Sequence, residues 1–278
     1  KIFIYMKKEY KLYKNGFQIF KNVFSKEEIQ LFREKLTTKF IEKKKKINQI
    51  EIIKNKFSNT LSSKCDLIDD ELEEFDYIVL NKKILKCVKE LIGEEIVYFC
   101  DNSLIIGNGP CGYHKDNVSR DNIDHSDWQS KYTVIRMGLY FQDSENHSGG
   151  LIIRDGSHKF VNLFKGNPII LPLKEGDLVF WLLTTTHSGN AKRLKLFPKI
   201  PLMGRIQRSL PEFFFKEFQK NRVAIFCTYA NQGVHLENYL NFLNSRNDMK
   251  ECFKNCHFTE KSILIAKNSK VKLLNPKD

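Results

Sequence analysis

The chain has 278 residues, with 46 Lys plus Arg against 33 Asp plus Glu for a formal charge of +13. At 41% apolar, with only 14 Gly and 7 Pro, it can build one sizeable core and is not a collagen-like, mucin-like or linker-dominated chain. The positive balance is carried by Lys, with nine Arg and no Arg-aromatic stripe, so it is read as a solvated surface and nucleic acid is not an expected partner. No stretch approaches the ~18 consecutive apolar residues of a spanning helix, and the first ten residues lack a secretory layout, so a cytoplasmic protein is expected.

In chain order, Gly16 to Phe20 alternates like a strand. Ser25 then reads as a helix cap with Glu28 at the third helical position, a capping box, and Ile29, Phe32 and Leu36 fall on one face of that helix. A second helix is predicted over Lys82 to Leu91, with Ile84, Leu85, Val88 and Leu91 at helical spacing and Gly93 as terminator. From Glu95 to Tyr229 the texture becomes short β-rich runs: 96–99, 104–106, 132–141, 151–154, 178–183 and 223–229. Turn chemistry separates them at 107–110, 148–150, 155–156 and 175–177. This pattern predicts a mainly β fold with flanking helices, a jelly roll. Residues 192–220 hold Pro198, Pro201 and Pro211 and a helical-looking 212–218, and are read as an insertion between two strands that either forms a lid over the site or makes a surface helix or an oligomer contact.

No repeat or linker divides the chain. A single domain, 1–278, is expected, with a helical elaboration at 1–94, a jelly-roll core at 95–230 and a C-terminal extension at 231–278 in which 262–265 reads as an outer strand. The seven Cys are scattered without a C-x-x-C pair, which argues against a disulfide framework and for a reducing compartment. Cys252, Cys256 and His257 cluster, but no fourth ligand stands at a usual zinc spacing.

The chemistry-bearing residues are His114, Asp116 and His187. In an extended segment residues i and i+2 share a face, so His114 and Asp116 aim at one point, and His187 arrives from beyond the apolar run 178–183. Two imidazoles and one carboxylate on one side of a metal form the arrangement of non-haem Fe(II) oxygenases. The same spacing recurs at His125 and Asp127, in a polar loop, whereas His114 follows a strand and a Gly-rich turn and is preferred. Tyr113, Lys115 and Asn117 flank the motif and either face substrate or belong to a solvated loop.

Four ordered segments resemble the phytanoyl-CoA hydroxylase-like family of Fe(II)- and 2-oxoglutarate-dependent dioxygenases. They are 15–29, Tyr113-His-Lys-Asp116, the pair 138–143 and 148–159 ending in Gly-Ser-His-Lys, and Gly176 to His187. The resemblance implies a double-stranded β-helix, cupin-like in fold, with His114, Asp116 and His187 holding Fe(II). It also implies 2-oxoglutarate and O2 as co-substrates, the far carboxylate of 2-oxoglutarate gripped by an Arg through two parallel charge-assisted hydrogen bonds. Arg222, opening the run 223–229, matches that position, although relatives place it closer to the distal His. Arg193, in a Lys-rich loop, is the nearer alternative. Asp155 stands where relatives commonly have Pro, and His158 of the signature is read as structural.

Because Asp116 stands where halogenating relatives have a small residue, the resemblance implies hydroxylation. The expected reaction attacks an unactivated C–H bond of a small metabolite or acyl-type substrate, with release of succinate and CO2. The alternatives are a cupin-like metal-dependent isomerase or epimerase, and a non-enzymatic basic protein binding nucleic acid. No motif selects a substrate or an oligomeric state.

Overall fold

The computed structural model describes residues 10–45, 52–54, 58–61, 78–107, 112–144, 147–218, 222–254 and 258–274. Its elements begin with α1 (Leu12–Asn15), β1 (Phe17–Phe20), α2 (Lys26–Lys45), β2 (Ile52–Lys54), β3 (Ser58–Leu61) and α3 (Lys82–Ile92). They continue with β4 (Ile96–Gly107), α4 (Ser126–Gln129), β5 (Val134–Tyr140), β6 (Gly150–Asp155), β7 (Asn167–Ile170), β8 (Leu178–Leu182) and β9 (His187–Ala191). The remainder is α5 (Gly204–Ser209), β10 (Val223–Ala230), α6 (Val234–Ser245), α7 (Asn247–Lys254), α8 (Glu260–Asn268) and β11 (Val271–Leu273).

The larger sheet runs β1-β8-β5-β10-β4-β3-β2, with β11 added parallel to β4, and the smaller runs β7-β6-β9. The period-2 alternation of strands explains how the larger sheet serves two cores. Ile135, Met137 and Leu139 of β5, with Leu178, Phe180 and Leu182 of β8, pack under the helices against Ile29, Phe32, Ile84, Val88, Leu236 and Leu243. Tyr140, Val179, Trp181 and Ala224 face the other way, onto Leu151 and Ile153 of β6. Because both faces are covered, these strands read as continuous apolar runs. The architecture is the expected jelly roll with flanking helices.

Local signals behave as their chemistry requires. In the capping box, the Glu28 amide donates to Ser25 Oγ (3.2 Å) and the Ser25 amide to Glu28 Oε2 (2.7 Å). Asn81 caps α3 by accepting from the Lys83 amide at 2.9 Å. Three expectations need correction. Residues 262–265 lie inside α8, capped by Thr259, which accepts from the Ser262 amide at 3.1 Å; the outer strand is β11 instead. The helix expected at 212–218 is only a 3-10 turn, Glu212–Phe214, after which Phe215 and Phe218 make isolated bridges to Leu194 and Ser148. Cys100 is disulfide-bonded, whereas Cys87 and Cys227 are buried cysteines outside any disulfide. Of the soft-ligand cluster, Cys256 and His257 lie outside the described residues. No helix among the described residues is long and apolar enough to cross a membrane.

The corner between α1 and β1 braces two turns of the jelly roll. Asn15 donates to Asp155 Oδ1 (2.7 Å), and the Gly16 carbonyl accepts from the Leu182 amide (3.0 Å) and Thr185 Oγ1 (2.7 Å). Gly16 sits at φ +88°, where a Cβ would stand 2.7 Å from both His158 Nδ1 and Thr185 Oγ1. Both the backbone and the space therefore require glycine. Gly16→Ala is expected to cost about 2–4 kcal/mol of stability, seen as a lower urea midpoint at unchanged slope.

Candidate metal site and its cavity

The site begins with backbone pairing. The amides of His114 and His187 each donate to the other's carbonyl at 3.0 Å, which adds the His114 segment to the smaller sheet beside β9. The Asp116 amide donates to the Leu183 carbonyl at 2.9 Å, fixing the carboxylate next to the turn that leads into β9. The imidazole centroids are 4.2 Å apart, and Asp116 lies 3.6 Å from His114 Nε2 through Oδ1 and 3.5 Å from His187 Nε2 through Oδ2. One ligand atom from each of the three residues can be chosen so that all lie within 4.8 Å of one another, close enough to share an ion.

The remaining ring nitrogens are held from behind. His114 Nδ1 is 2.8 Å from the Gly112 carbonyl and His187 Nδ1 is 3.1 Å from the Thr185 carbonyl. Carbonyls only accept, so each Nδ1 carries a proton, which leaves Nε2 as the ring atom facing Asp116 and, in an uncharged ring, the lone pair available there. Burial pushes His187 down to about 4, the nearby cations adding to it and Asp116 opposing. Burial alone would raise the Asp116 carboxyl, but His187, Arg136 and His114 outweigh it and hold it at about 2. At neutral pH His187 and Asp116 are thus an uncharged imidazole and an ionised carboxylate, the forms that ligate a metal.

Arg136 is a site residue that sequence reasoning missed. It stands on β5 between Ile135 and Met137, so alternation turns it to the opposite face, into the cavity. Its Nε is 3.3 Å from Asp116 Oδ2, and its Nη2 donates to Asp101 Oδ2 and to the Tyr239 hydroxyl, each at 3.1 Å. Asp101 Oδ2 also accepts from Thr228 Oγ1 (2.7 Å) and Tyr239 (2.8 Å). A lone Arg within the apolar run Val134-Ile-Arg-Met-Gly-Leu-Tyr140 was the available signal.

The cavity, about 220 Å³, is lined by His114, Asp116, His187, Arg136 and Arg222, and walled by Ser103, Ile105, Tyr140, Leu151, Trp181 and Phe226. Arg222 is buried, its Nε donating to the Gly149 carbonyl at 3.0 Å and its guanidinium 5.6 Å from the centre of the Tyr140 ring. Arg193 is buried elsewhere, against the Pro198 carbonyl at 3.1 Å, and is absent from the cavity wall.

The motif's neighbours are structural. Lys115 is fully buried and its ammonium donates to the carbonyls of Ser157 and Thr184, while burial lowers its pKa to about 7. Asn117 donates to Asp127 Oδ2 at 2.8 Å, and Tyr113 lies under the Arg154 guanidinium. In the second His-x-Asp copy, His125 caps α4 and Asp127 binds Asn117 and the Ser119 amide, so these side chains are engaged in loop structure. His158 packs against the α1–β1 corner, 3.2 Å from the Tyr13 carbonyl.

No family model and no curated protein matches the chain. Its fold resembles solved structures. One is the non-heme alpha ketoglutarate dependent epimerase SnoN from nogalamycin biosynthesis, with TM-score 0.52 and 13% identity over 80% of each chain. HygX from Streptomyces hygroscopicus, solved with nickel and 2-oxoglutarate bound, gives 0.54 and 13% over 80% of this chain and 85% of its own. The carbocyclase SnoK, also non-heme and alpha ketoglutarate dependent, gives 0.54 and 15% over 79% and 81%. At these identities the likeness is one of fold.

Two histidines make the metal-free protein acid-sensitive. Burial lowers His187 and His158 from the ordinary 6.5 to about 4. Between those values the unfolded chain binds more protons than the fold, so stability present above pH 6.5 is lost as pH falls toward 4. Asp116 contributes only below that window. Denaturation at fixed ionic strength should show a loss on the order of 3 kcal/mol from His187 and somewhat less from His158, and His187→Gln should remove roughly half of the slope or a little more.

Proposed function

We propose that the chain is an Fe(II)- and 2-oxoglutarate-dependent oxygenase whose metal is held by His114, Asp116 and His187. The observation that carries this reading is the approach of their ligand atoms to within 4.8 Å in a cavity that also contains a buried Arg222. The donor set suits a divalent first-row metal: two Nε2 lone pairs fixed from behind by carbonyls, and one ionised carboxylate, with the cavity side left open.

When bound, the metal with 2-oxoglutarate and O2 would supply the oxidant for a C–H bond, 2-oxoglutarate leaving as succinate and CO2. The chain's own residues bind and orient. Arg136, held by Asp101 and Tyr239, restrains Asp116 through Oδ2 so that the carboxylate keeps its aim. Arg222, fixed by Gly149, offers the buried cation for the carboxylate farther from the metal. Ile105, Leu151, Trp181 and Phe226 give the cavity an apolar wall that limits water near the reacting carbon. Hydroxylation of a small metabolite or acyl-type substrate is the finer reading, supported by the carboxylate at position 116. The fold likeness to an alpha ketoglutarate dependent epimerase favours one second reading, epimerisation at the same three residues that also uses 2-oxoglutarate.

Protein loaded anaerobically with Fe(II), then given 2-oxoglutarate and air, is expected to form succinate. Replacement of His114, Asp116 or His187 by Ala should reduce this to background. Arg222→Met should raise the 2-oxoglutarate concentration for half-saturation roughly 10–100-fold with little change in metal affinity. Iron-loaded protein that neither binds 2-oxoglutarate nor converts it, even with trial substrates supplied, would overturn the oxygenase reading; metal-dependent turnover without 2-oxoglutarate would point to a cupin-like isomerase.

Removing the brace on Asp116 gives a separate readout. Arg136→Met is expected to weaken metal binding roughly 10–100-fold by titration, with Arg136→Lys recovering part of the loss.

A further inference from the structure

We propose that residues 194–216 form an interfacial element that docks the protein on an anionic membrane surface. Among the described residues, seven of the fourteen large apolar side chains left exposed belong to this one segment: Leu196, Phe197, Ile200, Met203, Ile206 and the pair Phe213–Phe214. Their exposure is high, 83% for Leu196 and 67% for Phe213.

The segment is nevertheless tied down. Its inner side buries Leu202, Gln207 and Phe215. The Lys192 amide donates to Gln207 Oε1 at 3.0 Å and Gln207 Nε2 to the Leu202 carbonyl at 2.7 Å. The Lys195 amide donates to the Phe214 carbonyl at 2.9 Å, and the Lys216 amide to the Arg193 carbonyl at 2.7 Å. The exposed apolar side chains therefore project from a segment anchored to the body of the protein.

Its chemistry selects the occupant. Lys195, Lys199, Arg205 and Arg208 are exposed among the apolar residues, while the exposed Glu212 is engaged by Lys192. Phe, Leu, Ile and Met interleaved with Lys and Arg suit the boundary of an anionic bilayer, where apolar side chains enter the acyl region and cations meet lipid phosphates and carboxylates. Protein interfaces are depleted of Lys at their centres. A second copy of this chain would bring like charges together, on a molecule that already carries +13. The position of a Cβ on Gly204, which opens α5, is 3.9 Å from Gly112 Cα, so the segment abuts the loop that delivers His114. A docked surface would lie beside the candidate metal site, yet docking needs neither metal nor co-substrate and is tested without them.

The full chain is mixed with phosphatidylcholine vesicles and with vesicles containing phosphatidylserine, and the bound fraction is measured by flotation. Binding is expected to the phosphatidylserine vesicles only and to fall as salt rises. The Lys199→Glu/Arg205→Glu and Phe213→Ser/Phe214→Ser double variants should each lower partitioning at least ~10-fold at an unchanged melting midpoint. If the Phe variant fails to fold, the charge variant, which alters only exposed side chains, decides. Absence of binding, equal binding to neutral and anionic vesicles, or wild-type partitioning by the charge variant overturns the proposal. So does a dimer that ignores vesicles and dissociates on replacing Phe213 and Phe214, which would assign the surface to a second copy.

Discussion

The site depends on one backbone contact, the reciprocal pair of hydrogen bonds between His114 and His187. Side chains directly opposite on antiparallel neighbours stand at close and nearly invariant separation. That pairing therefore sets the separation of the two Cβ atoms, from which the side-chain rotamers bring the imidazole centroids to 4.2 Å. Asp116 follows by alternation, since it is two residues beyond His114 and its amide is held by Leu183. The precision resides in sheet register, which packing on both faces makes hard to shift.

A second constraint comes from charge. Asp116, Arg136 and Asp101 alternate in sign through the cavity wall, and Tyr239 and Thr228 complete the shell around Asp101. An isolated ion of this kind would be costly to bury, so each member depends on its neighbours. The chain links three strands of the larger sheet, β4, β5 and β10, to α6 on its helical side. Packing of that helix is thus coupled to the aim of the carboxylate at the other end.

Much of the frame was legible in the sequence because it rests on local rules. The capping box at Ser25 and Glu28, the terminator at Gly93 and the apolar strand runs each depend on neighbouring residues. The run Ile263-Leu-Ile265 misled because its β-branched content suggests a strand. The cap at Thr259 and the spacing of buried Ser262 and Ala266 give a helix instead. Lys115 and Asn117 could have been set aside by the same alternation that pairs His114 with Asp116, since odd positions there point away from the cavity. The Asp101–Arg136–Tyr239 cluster was harder to see. Its members come from β4, β5 and α6, and only strand register and helix docking reveal that they meet.

The long interval between His187 and Arg222 shows why chain spacing is a weak guide to such a site. β9 lies in the smaller sheet and β10 in the larger, so the connection between them crosses from one sheet to the other. Arg222 is placed by register: Val223 pairs with Ile106, Ala224 pairs with both Ile105 and Tyr140, and Arg222 itself bonds to the Gly149 carbonyl. None of these contacts depends on the length of the crossing. Loop-closure entropy grows only logarithmically with added residues, about 0.6 kcal/mol per doubling, so the connection can lengthen substantially while both ends keep their partners. The insertion can therefore acquire a surface of its own while the cavity keeps its dimensions.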